Sequence, residues 1–211
     1  MSLLPLGGFI PAHDPTIVKK DGLYYRFQTG SGIPVCVSQD LRHWELWGKV
    51  FNKNPAWTAE KIPGSTDFWA PDVVFRHGEY RIYYSVSTFG KNTSAIGMAR
   101  SSDLKNWADS GAVIFSSPPD RFNAIDPAVC MDGENQDWLL FGSFWGGLQL
   151  VRAVVAAVRY PHLDKNQIPL GPFVNTFRTI FQVKAVIAPR GGGRDILRRQ
   201  REHHQCRRKR H

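Results

Sequence analysis

Residues 121–147 read RFNAIDPAVCMDGENQDWLLFGSFWGG, and their grammar decides the fold. An acid precedes a proline (Asp126-Pro127), and a short apolar run follows (Ala128-Val129-Cys130). The chain turns over Asp132-Gly133 and returns through Trp138-Leu139-Leu140-Phe141. It ends in a small aromatic loop, Gly142 to Gly147. The same order of features occurs twice earlier. His13-Asp14-Pro15 leads through a turn at Asp21-Gly22 to Leu23-Tyr24-Tyr25. Ala70-Pro71-Asp72 leads through His77-Gly78 to the run Tyr80 to Tyr84. A second signature follows these two copies: Asp40-Leu41-Arg42-His43-Trp44 is matched by Asp103-Leu104-Lys105-Asn106-Trp107.

Taken as the repeating acids, Asp14, Asp72 and Asp126 lie roughly 55 residues apart, and self-similarity at such a period means stacked supersecondary units. The runs 23–27 and 80–85 are rich in aromatic and β-branched residues and bounded by turns, and 95–101 alternates like a further strand. The expectation is an all-β chain of propeller blades, each about four short strands. Inner strands of a propeller line its axis, so the three aspartates are expected to meet at one end of it. Residues 1–151 therefore read as an incomplete β-propeller catalytic domain of three blades. Residues 152–189 read as a degenerate fourth-blade region and 190–211 as a basic disordered tail. Three blades do not close a ring, so the expectation is a fragment, or an aberrant reading frame beyond residue 151.

The formal charge of +9 belongs to that tail: residues 1–151 carry 13 Lys and Arg against 15 Asp and Glu, and 152–211 carry 14 against 3. The body gives no reason to expect a polyanion, and the tail lacks the interleaved aromatics of a nucleic-acid-binding arm. Cys36, Cys130 and Cys206 form neither a disulfide framework nor a metal cluster. His203-His204 with Cys206 reads as incidental. No signal peptide is read in residues 1–15, and no apolar run reaches membrane-spanning length. Asn92-Thr93-Ser94 is a glycosylation sequon, usable only on secretion.

Acids converging in a tryptophan-lined cleft suit sugar chemistry. An inverting glycosidase needs an acid and a base roughly 6.5–9.5 Å apart, with room for water between them. Trp69 and Trp145 lie beside the acids as stacking surfaces, whereas Trp44 and Trp107 sit at matched blade positions and read as core. An aspartate before proline is by itself common turn chemistry; recurrence is what points to a site.

Five segments in register resemble the endo-1,5-α-L-arabinanases of glycoside hydrolase family 43: His13-Asp14-Pro15, 68–72, 83–90, Asn123-Ala124-Ile125-Asp126-Pro127 and 141–145. The resemblance spans residues 8–151 and implies a five-bladed propeller that cleaves arabinan, a cell-wall polysaccharide, outside the cell. It implies that Asp14 is the general base and that Asp126 tunes the acid and orients substrate. Trp69, Asp72, Gly90, Asn123, Ala124, Ile125, Ser143, Phe144 and Trp145 would bind arabinose units. It implies no cofactor for the chemistry, and a calcium ion in the central channel of intact relatives. The family's acid is a glutamate in Glu-Ala-Pro on the fourth blade. The matching tripeptide here is Ile187-Ala188-Pro189, so the acid position holds an isoleucine. That implies impaired hydrolysis. The competing readings are a non-catalytic arabino-oligosaccharide-binding protein and an exo-acting arabinofuranosidase or β-xylosidase of the same family.

Overall fold

A computed structural model describes residues 3–153. Of the region read as a degenerate fourth blade only residues 152 and 153 are described, Arg152 closing the last strand of the third blade; Ile187 and the basic tail lie outside the described residues. The described chain is all-β apart from one short helix. A two-residue strand β1 (Gly7–Gly8) precedes the first meander: β2 (Thr16–Lys20), β3 (Leu23–Phe27), β4 (Pro34–Ser38) and β5 (His43–Lys49). Helix α1 (Ala56–Lys61) leads to β6 (Phe68–Arg76), β7 (Glu79–Val86), β8 (Ser94–Ser101) and β9 (Ala108–Ser116). The third meander is β10 (Ala128–Met131), β11 (Asp137–Ser143) and β12 (Gly147–Arg152). Within each meander, sequence neighbours pair antiparallel. Strand β1 adds in parallel to the outer edge of β5. These sheets are blades of a β-propeller, as the repeat anticipates.

The blade register corrects the sequence repeat. The residue before each blade's proline takes a left-handed backbone: Asp14 (φ 48°), Ala70 (φ 41°) and Asp126 (φ 54°). These three positions are evenly spaced along the chain, which the three aspartates are not. Ala70, not Asp72, is thus the counterpart of the two acids. Asp72 stands two positions further in, level with Thr16 and Ala128: Thr16 pairs with Phe27, Asp72 with Tyr83 and Ala128 with Leu140. The physical reason lies in Ala70-Pro71. A proline has no N–H for the ladder, and β6 shifts register between Trp69 and Asp72. The strand passes through this bulge before Asp72.

Asp72 instead ties blades together. Its Oδ2 accepts the Val129 N–H of the third blade at 2.7 Å, and its Oδ1 accepts the Thr16 hydroxyl of the first at 3.5 Å. Burial, the dominant effect, raises its pKa above the ordinary carboxylate value against the pull of these donors. At the far end of the same strands Asp137 does similar work. Its carboxylate accepts Arg76 Nε at 3.2 Å and lies 3.1 Å from His77 Nε2.

Between the first two blades lies an aromatic core. The Phe51, Phe68 and Tyr84 rings meet edge to face at centroid distances of 5.1–5.5 Å, a favoured geometry. Ile82, Tyr84 and Val86 on β7 belong to this core, while Tyr83 on its other face joins Ile96, Met98, Ala124, Leu139 and Phe141 between the second and third blades. Strand β7 is buried on both faces, with Arg81 and Ser85 buried among its apolar residues. Tyr84 fits because residue 97 is glycine: a Cβ there would lie 2.4 Å from the phenol ring.

The Asp-Leu-x-x-Trp signature is a turn lock. In the first copy Asp40 Oδ1 accepts the N–H groups of Arg42 and His43, both at 2.8 Å, and Trp44 Nε1 donates to Leu41 O. Asp103, Lys105, Asn106 and Trp107 repeat this bond for bond. Trp44 is buried and Trp107 packs on Phe27, so both belong to the core, as expected.

Removing the Asp72 carboxylate strands the Val129 N–H at a blade junction. We expect Asp72→Ala to lower stability by about 1–3 kcal/mol, read as a lower urea midpoint with an unchanged slope. An unshifted midpoint would show that the tie contributes nothing.

Candidate active site

Strands β2, β6 and β10 begin, and β3, β7 and β11 end, at the same end of the blades. The left-handed turns at Asp14, Ala70 and Asp126 and the loops 28–33, 87–93 and 144–146 therefore gather there. A left-handed residue before proline is strained, costing about 1–3 kcal/mol, and persists only where neighbours hold it.

Asp14 is held on several sides. Its Oδ2 accepts the Thr29 hydroxyl at 2.9 Å and lies 3.1 Å from His13 Nδ1. The Thr29 N–H donates to His13 O at 3.0 Å. The Thr29 hydroxyl also accepts the Ala70 N–H at 2.9 Å, which links the Asp14 turn to the next blade. Asp14 keeps 43% of its side chain open to solvent. Across the next junction, the Asp126 N–H donates to Ser85 Oγ at 2.9 Å. The pKa of the Asp126 carboxyl is raised from its ordinary value, first by partial desolvation and then by the negative charge of Asp14. Two carboxylates, one on the turn of the first blade and one on that of the third, thus sense one another. Such a pair favours one ionised and one more readily protonated member.

Around this pair the expected binding residues divide into two groups. Trp69 is half-buried at the start of β6, and Gly90 is exposed in the loop after β7. Ile125 is half-buried and its carbonyl accepts the Gly142 N–H at 2.8 Å. Ser143 Oγ accepts the Trp145 N–H at 3.3 Å. Phe144 and Trp145 are exposed, their centroids 5.6 Å apart at 70°. The 144–146 loop lies flat on the turn before Asp126: a Cβ on Gly146 would fall 1.9 Å from Arg121 O. By contrast, Asn123 and Ala124 are buried. The Ala124 N–H donates to Ser116 Oγ at 2.9 Å, and the Ser116 hydroxyl donates to Asn92 O at 2.7 Å. Asn123 and Ala124 underpin the acid's loop rather than line its surface. Asp72, with both oxygens engaged in blade ties, sits beneath the pair.

Sequence reasoning misses Thr29, Ser85 and Ala70. Thr29 and Ser85 are separated by the same interval as Asp14 and Ala70, the period of the pre-proline positions. Anchoring the repeat on the proline rather than on the acid exposes both. The exposed Phe89 in the 87–93 loop carries no distinguishing signal of its own in the sequence. Among the described residues no cluster of three His, Cys, Asp or Glu side chains could hold a metal. The described residues thus supply no such side-chain cluster for the channel calcium that the resemblance implies.

Comparison with known proteins follows the same lines. The family described as glycosyl hydrolases family 43 matches residues 9–168. Extracellular endo-α-(1→5)-L-arabinanase 1 of Bacillus subtilis is 40% identical over 147 residues, covering 66% of this chain and 46% of that protein. The extracellular exo-α-(1→5)-L-arabinofuranosidase ArbA of Cellvibrio japonicus is 42% identical over 152 residues, covering 68% and 44%. A solved structure of Cellvibrio cellulosa α-L-arabinanase complexed with arabinohexaose superposes with a TM-score of 0.65 at 41% identity, over 67% of this chain and 47% of that one. The chain spans less than half the length of these proteins.

Asp14→Asn removes the neighbouring charge while keeping the side-chain shape. The ionised form of Asp126 then costs less, so its pKa should fall towards the ordinary value, as followed by the pH titration of its carboxyl carbon by NMR. An unchanged or higher Asp126 pKa would show that the two groups do not face one another.

Proposed function

The chain belongs to glycosyl hydrolases family 43, and from that premise we propose that this cleft is built for α-1,5-L-arabinofuranosyl chains, the linkage named in its relatives. The observation that carries the reading is the repeated left-handed turn before proline, which sets Asp14 and Asp126 at the same end of the blades, where the negative charge of Asp14 raises the pKa of Asp126. Asp14, accessible and fixed by Thr29, is the general base that takes a proton from the attacking water. Asp126 orients the sugar and raises the proton affinity of whatever acid completes the site. Trp145 and Phe144 offer apolar faces to arabinose rings, with Trp69, Gly90, Ile125 and Ser143 shaping the adjoining floor. Asn123, Ala124 and Asp72 act from below, by holding the turns that carry these groups.

An acid must protonate the leaving oxygen, and no described glutamate is placed to do so. Glu79 pairs with Arg81 and Glu134 lies in the β10–β11 turn, both at the opposite end of the strands. Glu45 and Glu60 are exposed on β5 and α1. In sequence the family's acid position holds Ile187, which has no proton to give. We therefore assign this polypeptide arabinan recognition with hydrolysis slowed by about 10²–10⁴, the typical contribution of a general acid. A pure binding role for arabino-oligosaccharides is the second reading, favoured by that same missing acid. Relatives of both endo and exo action match; the open aromatic loop at 144–145 favours binding along a chain. Secretion follows from the substrate class and from the extracellular names of both relatives.

Calorimetry with linear arabino-oligosaccharides, beside an assay for oligosaccharide release from arabinan, tests this reading. We expect measurable binding with little or no turnover, and a roughly three- to ten-fold weaker affinity in Trp145→Ala. Absence of binding would refute the sugar-cleft reading. Turnover equal to that of an intact relative would refute the assignment of a missing acid.

A further inference from the structure

The site contains a device that repeats with the blades. Just beyond the end of β3, and one blade period later near the end of β7, a hydroxyl residue faces the next blade: Thr29, then Ser85. Each accepts the backbone N–H of the next blade's left-handed pre-proline residue, Ala70 for Thr29 and Asp126 for Ser85, both at 2.9 Å. In the third blade the position level with these two is Gly142, which has no hydroxyl. Thr29 makes a second bond that bears on catalysis: its hydroxyl proton goes to Asp14 Oδ2 at 2.9 Å.

We propose that Thr29 and Ser85 are positioning residues, blade-to-blade hydroxyl latches that set the backbone of the catalytic turns, Thr29 in addition fixing the carboxylate of the general base. This rests on the role proposed for Asp14. A hydroxyl is the group the geometry demands at residue 29. One oxygen must accept from an amide in the next blade and donate to a carboxylate in its own, and neither valine nor alanine can do either. The latch also explains how the strained turns survive. An amide that cannot join a ladder at the strand's start is satisfied from the side, by the neighbouring blade. The two latches have different consequences. Loss of the Thr29 hydroxyl leaves the Asp14 carboxylate to His13 alone and frees the second blade's turn. Loss of the Ser85 hydroxyl frees the backbone of Asp126 alone.

Amide hydrogen exchange on the full chain tests the latches directly, without needing turnover. In Thr29→Val the Ala70 amide should lose about ten-fold or more of its protection, while that of Asp126 is unchanged. In Ser85→Ala the pattern should reverse. Thr29→Ser, which keeps the oxygen, should restore the Ala70 amide. The Asp14 carboxyl carbon shift should move in Thr29→Val and return in Thr29→Ser. Unchanged Ala70 protection in Thr29→Val, or loss at both amides in either variant, would overturn the latch. Turnover of an aryl arabinobioside whose phenolate leaves without protonation then tests the catalytic consequence. Thr29→Val should lower kcat by about ten- to a hundred-fold with KM little changed, and Thr29→Ser should recover it. A fall in KM and kcat together, unrescued by serine, would reduce Thr29 to a structural role. Full turnover in Asp14→Asn would instead refute the base assignment and leave the exchange result standing.

Discussion

One backbone constraint underlies the rest: a left-handed residue immediately before a proline, recurring at even intervals at Asp14, Ala70 and Asp126. Neither half of it is favourable alone. A Cβ resists positive φ, and the proline denies the incoming strand a ladder bond. At Ala70 and Asp126 the preceding blade supplies a hydroxyl to the turn's amide, and at Asp14 the first blade's own Thr29 holds the turn. Those bonds tie the second blade to the first and the third to the second, and the turns carry two carboxylates, Asp14 and Asp126, just before strands β2 and β10.

Packing and electrostatics then act on a frame already set. Edge-to-face aromatic rings between the first and second blades, and the Tyr83, Met98 and Phe141 cluster between the second and third, fix the blades' spacing. Asp72 and Asp137 pin the junctions at different heights along the strands. The burial that raises the pKa of Asp72 is the cost of placing a carboxylate inside such a junction. The open end is built differently. Asp14 keeps access to water, and only partial desolvation, with the charge of Asp14 added to it, raises the pKa of Asp126.

Much of this is legible in the amino-acid sequence. The repeated order of acid, strand, Gly turn and aromatic strand announces blades, and the paired Asp-Leu-x-x-Trp signatures turn out to be identical turn locks. The register misleads at one place. In the second blade the aspartate two positions past the pre-proline residue is the more conspicuous one, and it draws the alignment away from Ala70. An alanine carries no chemical signal, and its significance lies in a backbone angle that composition cannot reveal. Asn123 and Ala124 look like cleft residues for a related reason. They sit beside the acid in sequence, but the loop turns their side chains inward. Thr29 and Ser85 escape notice because a hydroxyl near a strand end is ordinary until its partner in the next blade is known.

The most direct test of the account is the separation of the Asp14 and Asp126 carboxyl groups in a crystal structure of the full chain. The account predicts carboxyl carbons within roughly 10 Å of one another, close enough for the charge of Asp14 to act on Asp126 through solvent. Carboxyl groups on opposite sides of the blades, two or more times that distance apart, would contradict it, because the repeated turn would then build no common site.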